Sequence, residues 1–199
     1  MVRFSGVRKT LGNYLSEPIV RFLTRTSITP NTITCFGFLI SVGAAILIGT
    51  GHLFAAGFVV LVAGIFDIMD GALARSTGRT TRFGAILDST LDRAAEAVLL
   101  IAILVMYAAE QSIVGVLVTG VAWLGSLLVS YIRARAEGMG IECKVGIFTR
   151  PERVVLLTLG LLLSQFDNAL LITLVIIAVL SWVTAGQRML YVWQQTRTM

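Results

Sequence analysis

A chain of 199 residues that is 56% hydrophobic and only 14% charged, with a mean hydropathy of +0.87, carries more apolar surface than a soluble domain of that length can bury. The composition excludes an ordinary soluble enzyme or binding module and points to a multi-pass membrane protein. The net charge of +5 takes its meaning from where the basic residues fall, and no nucleic-acid partner is expected.

The first thirty residues lack an apolar core segment and a small-residue cleavage site, so no cleavable signal peptide is expected. Phe4, Val7, Leu11, Leu15, Ile19, Phe22 and Leu23 recur at threes and fours through a basic stretch, the period of an amphipathic helix. Residues 1–30 are read as a juxtamembrane helix. It either lies in the interface against anionic lipid or caps the bundle. Apolar runs follow at about 32–50, 53–69, 94–109, 112–132 and 169–187, with a shorter one at 154–166 continuing from Glu152. Each approaches the ~20 residues that cross a hydrocarbon core, and in lipid only a helix closes its own backbone hydrogen bonds within one segment. The expected fold is all-α: one membrane domain over 1–199, with six transmembrane helices in 31–199 behind an N-terminal interfacial amphipathic helix.

The connections near 50–53, 109–112 and 165–169 contain no lysine or arginine, and all 16 basic residues fall on the other side of the expected bundle. The positive-inside rule places that side, with both termini, in the cytoplasm of a cell membrane. An even number of spans is required by the same result. Cys35 and Cys143 are far apart and lack metal-ligand spacing, so they read as ordinary thiols. His52, in a short outer turn, receives no chemical role.

Four acidic residues stand at the ends of apolar helices, where a carboxylate is costly and usually functional. Asp67 and Asp70 close the second run three residues apart, and Asp88 and Asp92 open the third four apart. Each pair shares a helix face. Gly71, Ala74 and Gly84 keep the adjoining surface almost free of side-chain bulk. A short polar turn joins the two helices, so four carboxylates are expected to converge. Such a cluster needs a cation, and its hard oxygen donors suit Mg²⁺, Mn²⁺ or Ca²⁺. A single aspartate at a helix end is ordinarily a cap or a solvated group; four at these spacings are not explained that way. Glu96 continues the Asp88–Asp92 face and is left without a role.

The run Asp67-x-x-Asp70-Gly71-x-x-Ala74-Arg75, then eight residues, then Gly84-x-x-x-Asp88-x-x-x-Asp92, resembles the signature of the CDP-alcohol phosphotransferases at every fixed position. The resemblance implies a six-span fold, a homodimer, and transfer of a phosphatidyl group from CDP-diacylglycerol to an alcohol with Mg²⁺ or Mn²⁺ as cofactor. It implies Asp67, Asp70 and Asp88 as metal ligands, and Asp92 as a further ligand and the general base. Gly71, Ala74, Arg75 and Gly84 would rest against the nucleotide and diphosphate together with Asp67. Thr29-Pro30-Asn31-x-x-Thr34 resembles a family element beside the nucleotide, which adds Pro30, Asn31 and Thr34.

The remaining arginines bear on the acceptor. Arg153 and Arg188 lie one turn inside their helices, where each needs an anion or a route to water, and a planar guanidinium suits phosphate. These stretches resemble the actinobacterial phosphatidylinositol phosphate synthases, which implies inositol 1-phosphate as acceptor and Ser130, Arg133, Arg153 and Arg188 as the phosphate pocket. Arginines at cytoplasmic helix ends also bind lipid headgroups without further function. Glycerol 3-phosphate is the alternative acceptor. A divalent-cation transporter is the alternative from another class, but it would need polar residues near the bilayer midplane, and the outer halves of these runs are almost wholly apolar.

Overall fold

The structure, a computed structural model, describes residues 29–76 and 80–197. The expected N-terminal amphipathic helix lies outside the described residues. The described chain forms six helices and no strand: α1 (Pro30–Gly49), α2 (Leu53–Ser76), α3 (Arg82–Ala109), α4 (Ile113–Gly138), α5 (Arg150–Leu162) and α6 (Ala169–Arg197).

Hydroxyl side chains start most of them. Thr29 caps α1 ahead of Pro30, Thr81 accepts from the Gly84 amide at 2.9 Å to open α3, and Ser112 accepts from Gly115 to open α4. Each satisfies a backbone N–H that the first helical turn leaves unpaired. Helix α5 starts on a capping box, with Glu152 accepting from the Thr149 amide at 2.9 Å. Three tight turns join α1 to α2, α3 to α4 and α5 to α6. Each contains one residue in the left-handed region: Gly51 at φ +82°, Gln111 at +56° and Asn168 at +60°.

The three resulting hairpins close into a ring. Besides its hairpin partner, α1 packs on α3, α2 on α5, and α4 on α6. The main core lies toward the end that carries the tight turns. Ala44, Ile48, Ala56, Leu100, Ile103, Leu161, Leu170 and Leu174 meet there, drawn from α1, α2, α3, α5 and α6, and Ala122 of α4 joins them. The opposite end holds the longer connections and the acidic helix ends, so the ring is packed shut at one end and polar at the other.

Among the described residues, four helices are long and apolar enough to cross a membrane: α1, α2 through Ala74, α4 and α6. Six were expected. Helix α5 has only 13 residues, about 20 Å at ~1.5 Å per residue, against a hydrocarbon core of ~30 Å. Helix α3 has 28 residues, but Arg82, Asp88, Asp92 and Arg93 occupy its first half and Glu96 follows directly. Outward-facing residues such as Leu39, Val105, Leu117, Leu159 and Val179 are exposed and apolar, a surface suited to lipid.

Without a hydrophobic drive between helices in lipid, close packing of small residues holds them together. Gly160 of α5 is such a contact: a Cβ there would stand 2.7 Å from the Thr173 side chain of α6. Gly160→Ala is expected to destabilise the fold by about 1–3 kcal/mol through overpacking, read as a lower thermal midpoint in detergent. Gly186→Ala is the control, since a Cβ there meets nothing within 4 Å, and its midpoint should not fall.

Candidate active site

Helices α2 and α3 each bring carboxylates to the polar end of the ring. One oxygen each from Asp67, Asp88 and Asp92 lies within 4.8 Å of the others, and all three residues are half-buried. Carboxylates held this close away from bulk water repel strongly, and a hard divalent cation is the ligand that such a donor set fits. The cluster can bind one. Asp70 stands differently. It is buried, and its Oδ2 accepts a hydrogen bond from the Thr34 hydroxyl at 2.6 Å. Of the four expected carboxylates, three are therefore grouped, and the fourth is held by the first turn of α1.

That turn also meets α3. A Cβ at Gly84 would come within 2.9 Å of Thr81 Oγ1 and 3.1 Å of Asn31 Oδ1, so a larger residue would displace the Thr81 cap and the Asn31 side chain. Of the other expected nucleotide-side residues, Thr34 of α1 bonds Asp70 and Asn31 of α1 lies beside Gly84 of α3; Gly71 and Ala74 follow Asp70 on α2. The side chain of Arg75 lies outside the described set.

Charge balance comes from a residue to which the sequence reading gave no role in the site. Arg150, the first residue of α5, reaches across the ring. Its Nη1 donates to Asp67 Oδ1 and Oδ2 at 3.2 and 3.1 Å and pairs with Asp92 Oδ2 at 2.8 Å. Its Nε is buried without a hydrogen-bond partner. The signal that could have found it was spacing, since Arg150 is three residues before Arg153 and shares its helix face.

The expected acceptor residues separate into buried and exposed members. Arg153 is 1% exposed. Its Nε and Nη2 form a two-point bond with Glu96 of α3 at 2.6 and 2.8 Å, while Nη1 is buried with no partner. Glu96, left without a role above, is thus the counter-ion of Arg153. Arg188 is buried too, and it donates from Nε to the Val145 carbonyl at 2.9 Å and from Nη1 to the Val129 carbonyl. In the structure it ties the 139–149 connection to α4 and α6. Arg133 is exposed and pairs with Glu137 one turn along α4 at 2.8 Å, and Ser130 beside it is half-buried. The structure joins α2, α3 and α5 through Arg150 and Arg153; among the described contacts, Ser130, Arg133 and Arg188 do not reach the aspartates. A small recess beside Glu96 is lined by Arg93, Ala97, Trp123, Ser126 and Leu127.

The family model described as CDP-alcohol phosphatidyltransferase matches residues 27–192. The chain is similar to the archaetidylinositol phosphate synthase of Methanothermobacter thermautotrophicus, with 34% identity over 197 residues, covering 96% of this chain and 98% of that one. It is 40% identical over 181 residues to the phosphatidylinositol phosphate synthase of Mycobacteroides abscessus, covering 88% and 82%. The crystal structure of the phosphatidylinositol phosphate synthase of Mycobacterium tuberculosis with CDP-DAG bound matches with a TM-score of 0.84 at 36% identity, covering 90% of this chain and 94% of that one. The same enzyme in complex with manganese and citrate matches with a TM-score of 0.83 at 36% identity, covering 89% and 88%.

Proposed function

The chain belongs to the CDP-alcohol phosphatidyltransferase family, and from that premise we propose that it transfers the phosphatidyl group of CDP-diacylglycerol to inositol 1-phosphate, releasing CMP. The carrying observation is the juxtaposition of the Asp67–Asp88–Asp92 cluster with Arg153, a buried arginine on an adjoining helix that keeps one unpartnered nitrogen. Relatives whose names differ in the lipid agree in the acceptor: both archaetidyl and phosphatidyl synthases are inositol phosphate synthases.

Asp67, Asp88 and Asp92, with Asp70 beside them, would hold Mg²⁺ or Mn²⁺. Bound there, the ion neutralises charge on the diphosphate as CMP departs. The small-residue surface of Gly71, Ala74 and Gly84, with Pro30, Asn31 and Thr34, admits the nucleotide and diphosphate, with Arg75 of the same signature beside them. Arg153, assisted by Ser130, Arg133 and Arg188, holds the acceptor's phosphate and so directs its hydroxyl. Asp92 takes the hydroxyl proton. The hydroxyl oxygen bonds to the phosphorus that carries diacylglycerol, and the bond from that phosphorus to the CMP oxygen breaks.

The proposal includes six crossings, both termini and the site on the cytoplasmic side of the cell membrane, and a homodimer. Two features support six crossings. Helices α3 and α5 are built into the same ring as the four long apolar helices, and their polar ends face one another rather than lipid. Scanning-cysteine accessibility reads the topology, and light scattering on the detergent-solubilised protein reads the dimer.

The reaction is tested by following CMP release from CDP-diacylglycerol with inositol 1-phosphate, glycerol 3-phosphate, free inositol and serine in parallel. Turnover is expected with inositol 1-phosphate, absent after chelation by EDTA and restored by Mg²⁺ or Mn²⁺. Turnover with glycerol 3-phosphate alone would overturn the acceptor and keep the class. No CMP from any acceptor, in folded protein, would overturn the enzymatic reading and favour cation transport. The similarity to an archaetidylinositol phosphate synthase supports a second reading of the donor, which CDP-archaeol in place of CDP-diacylglycerol tests directly.

A further inference from the structure

We propose that Thr184 and Gln187 of α6 are positioning residues for the transfer reaction: through the backbone of residues 146–149 they set the first turn of α5, and with it Arg150 and Arg153, against α2 and α3. The inference rests on the reading of the chain as an inositol phosphate transferase. The connection that leads into α5, residues 139–149, has no helix or strand of its own. Chain continuity alone therefore does not fix where α5 begins. Arg150 and Arg153 stand in its first turn, bonded to Asp67 and Asp92 and to Glu96, so a displaced start displaces both guanidinium groups.

Helix α6 supplies the fixture. Thr184, Gln187 and Arg188 share one of its faces at i, i+3 and i+4, and each bonds the backbone of the connection. The Phe148 amide donates to Thr184 Oγ1 at 3.2 Å, the Ile147 amide donates to Gln187 Oε1 at 3.3 Å, and the Val145 carbonyl accepts from Arg188 Nε at 2.9 Å. Gly146 lets the backbone come this close: it sits at φ +123°, and a Cβ there would stand 2.6 Å from Thr184 Cγ2. Phe148 joins the main core, and Thr149 caps α5 directly after it. Thr184 is fully buried. Without its hydroxyl the buried Phe148 amide loses its partner, at a cost that favours a shifted backbone. Gln187 is exposed, so water can take over its bond and its share is smaller. The clamp acts on α5, whereas the residues proposed for the nucleotide stand on α1, α2 and α3. Its loss should therefore be felt on the acceptor side of the reaction.

The test is steady-state CMP release at saturating Mn²⁺ by the wild type, Thr184→Val, Thr184→Ser and Gln187→Met, each well below its own thermal midpoint. Thr184→Val keeps the shape and loses the acceptor for the Phe148 amide. It is expected to lower kcat/KM for inositol 1-phosphate by about 10–10²-fold, the scale of a misplacement of about 1 Å. The KM for inositol 1-phosphate should rise and that for CDP-diacylglycerol should not. Thr184→Ser keeps the hydroxyl and should stay near the wild type. Gln187→Met should raise the same KM by less, and it decides the question if Thr184→Val does not fold. Lower turnover with both KM values unchanged would mark a smaller folded fraction and overturn the proposal. So would wild-type kinetics in Thr184→Val, or a defect in Thr184→Ser as large as that in Thr184→Val. Absence of turnover with inositol 1-phosphate in the wild type would instead overturn the reading of the reaction beneath it.

Discussion

Asp92→Asn is expected to lower CMP release by about 10²–10⁴-fold, the usual contribution of a positioned general base. The same substitution should weaken Mn²⁺ binding, because Asp92 contributes one of the three clustered oxygens. The two effects are separable. An amide still offers an oxygen to a metal but cannot accept a proton, so saturating Mn²⁺ should leave Asp92→Asn inactive. Asp67→Asn removes a ligand without removing the base, and high Mn²⁺ should restore part of its activity. Asp92 suits the base role because its side chain is less exposed than that of Asp67, 19% against 37%, and lies on α3, the helix that also positions Arg153 through Glu96. Full rescue of Asp92→Asn by Mn²⁺ would show that Asp92 is a ligand only and that the proton goes elsewhere.

What the sequence made legible follows the physics of each signal. Apolar runs located all six helices, because lipid contact demands them. They missed helix ends where a helix continues past the apolar stretch. Helix α3 was read from residue 94 and begins at Arg82, twelve positions earlier, because its N-terminal turns lie toward the polar end of the ring and carry Asp88 and Asp92, with Glu96 following. The same polarity keeps α3 from qualifying as an apolar span. Carboxylate spacing put Asp88 and Asp92 on one face of α3, since i, i+4 geometry within one helix is local; four carboxylates were expected to converge, and the structure groups these two with Asp67. Spacing could not separate out Asp70, whose partner Thr34 lies 36 residues away. The pairings of Arg150 with Asp67 and of Arg153 with Glu96 span 83 and 57 residues. Nothing local specifies that α5 packs against α2, so the charge balance of the site was hidden until the ring closed.

Glu96→Ala is expected to destabilise the protein by about 3–5 kcal/mol, because it leaves a buried guanidinium with no counter-charge. Arg153 is 1% exposed, and two of its three nitrogens bond to Glu96. Arg153→Met strands Glu96 in the same way and should cost a similar amount, read as a drop in thermal midpoint in detergent. The double variant Glu96→Leu/Arg153→Met separates structure from function. Replacing both members of a buried pair with apolar residues is often neutral or stabilising, so its midpoint should recover most of what either single variant loses. Its turnover should not recover. Nη1, the one nitrogen of Arg153 that neither Glu96 nor any other group engages, is the donor left for the acceptor's phosphate, and methionine offers none. The KM for inositol 1-phosphate should therefore rise in the double variant while Mn²⁺ still binds. If the double variant regains both stability and turnover, the pair is a structural tie between α3 and α5, and the acceptor's phosphate is held by other arginines.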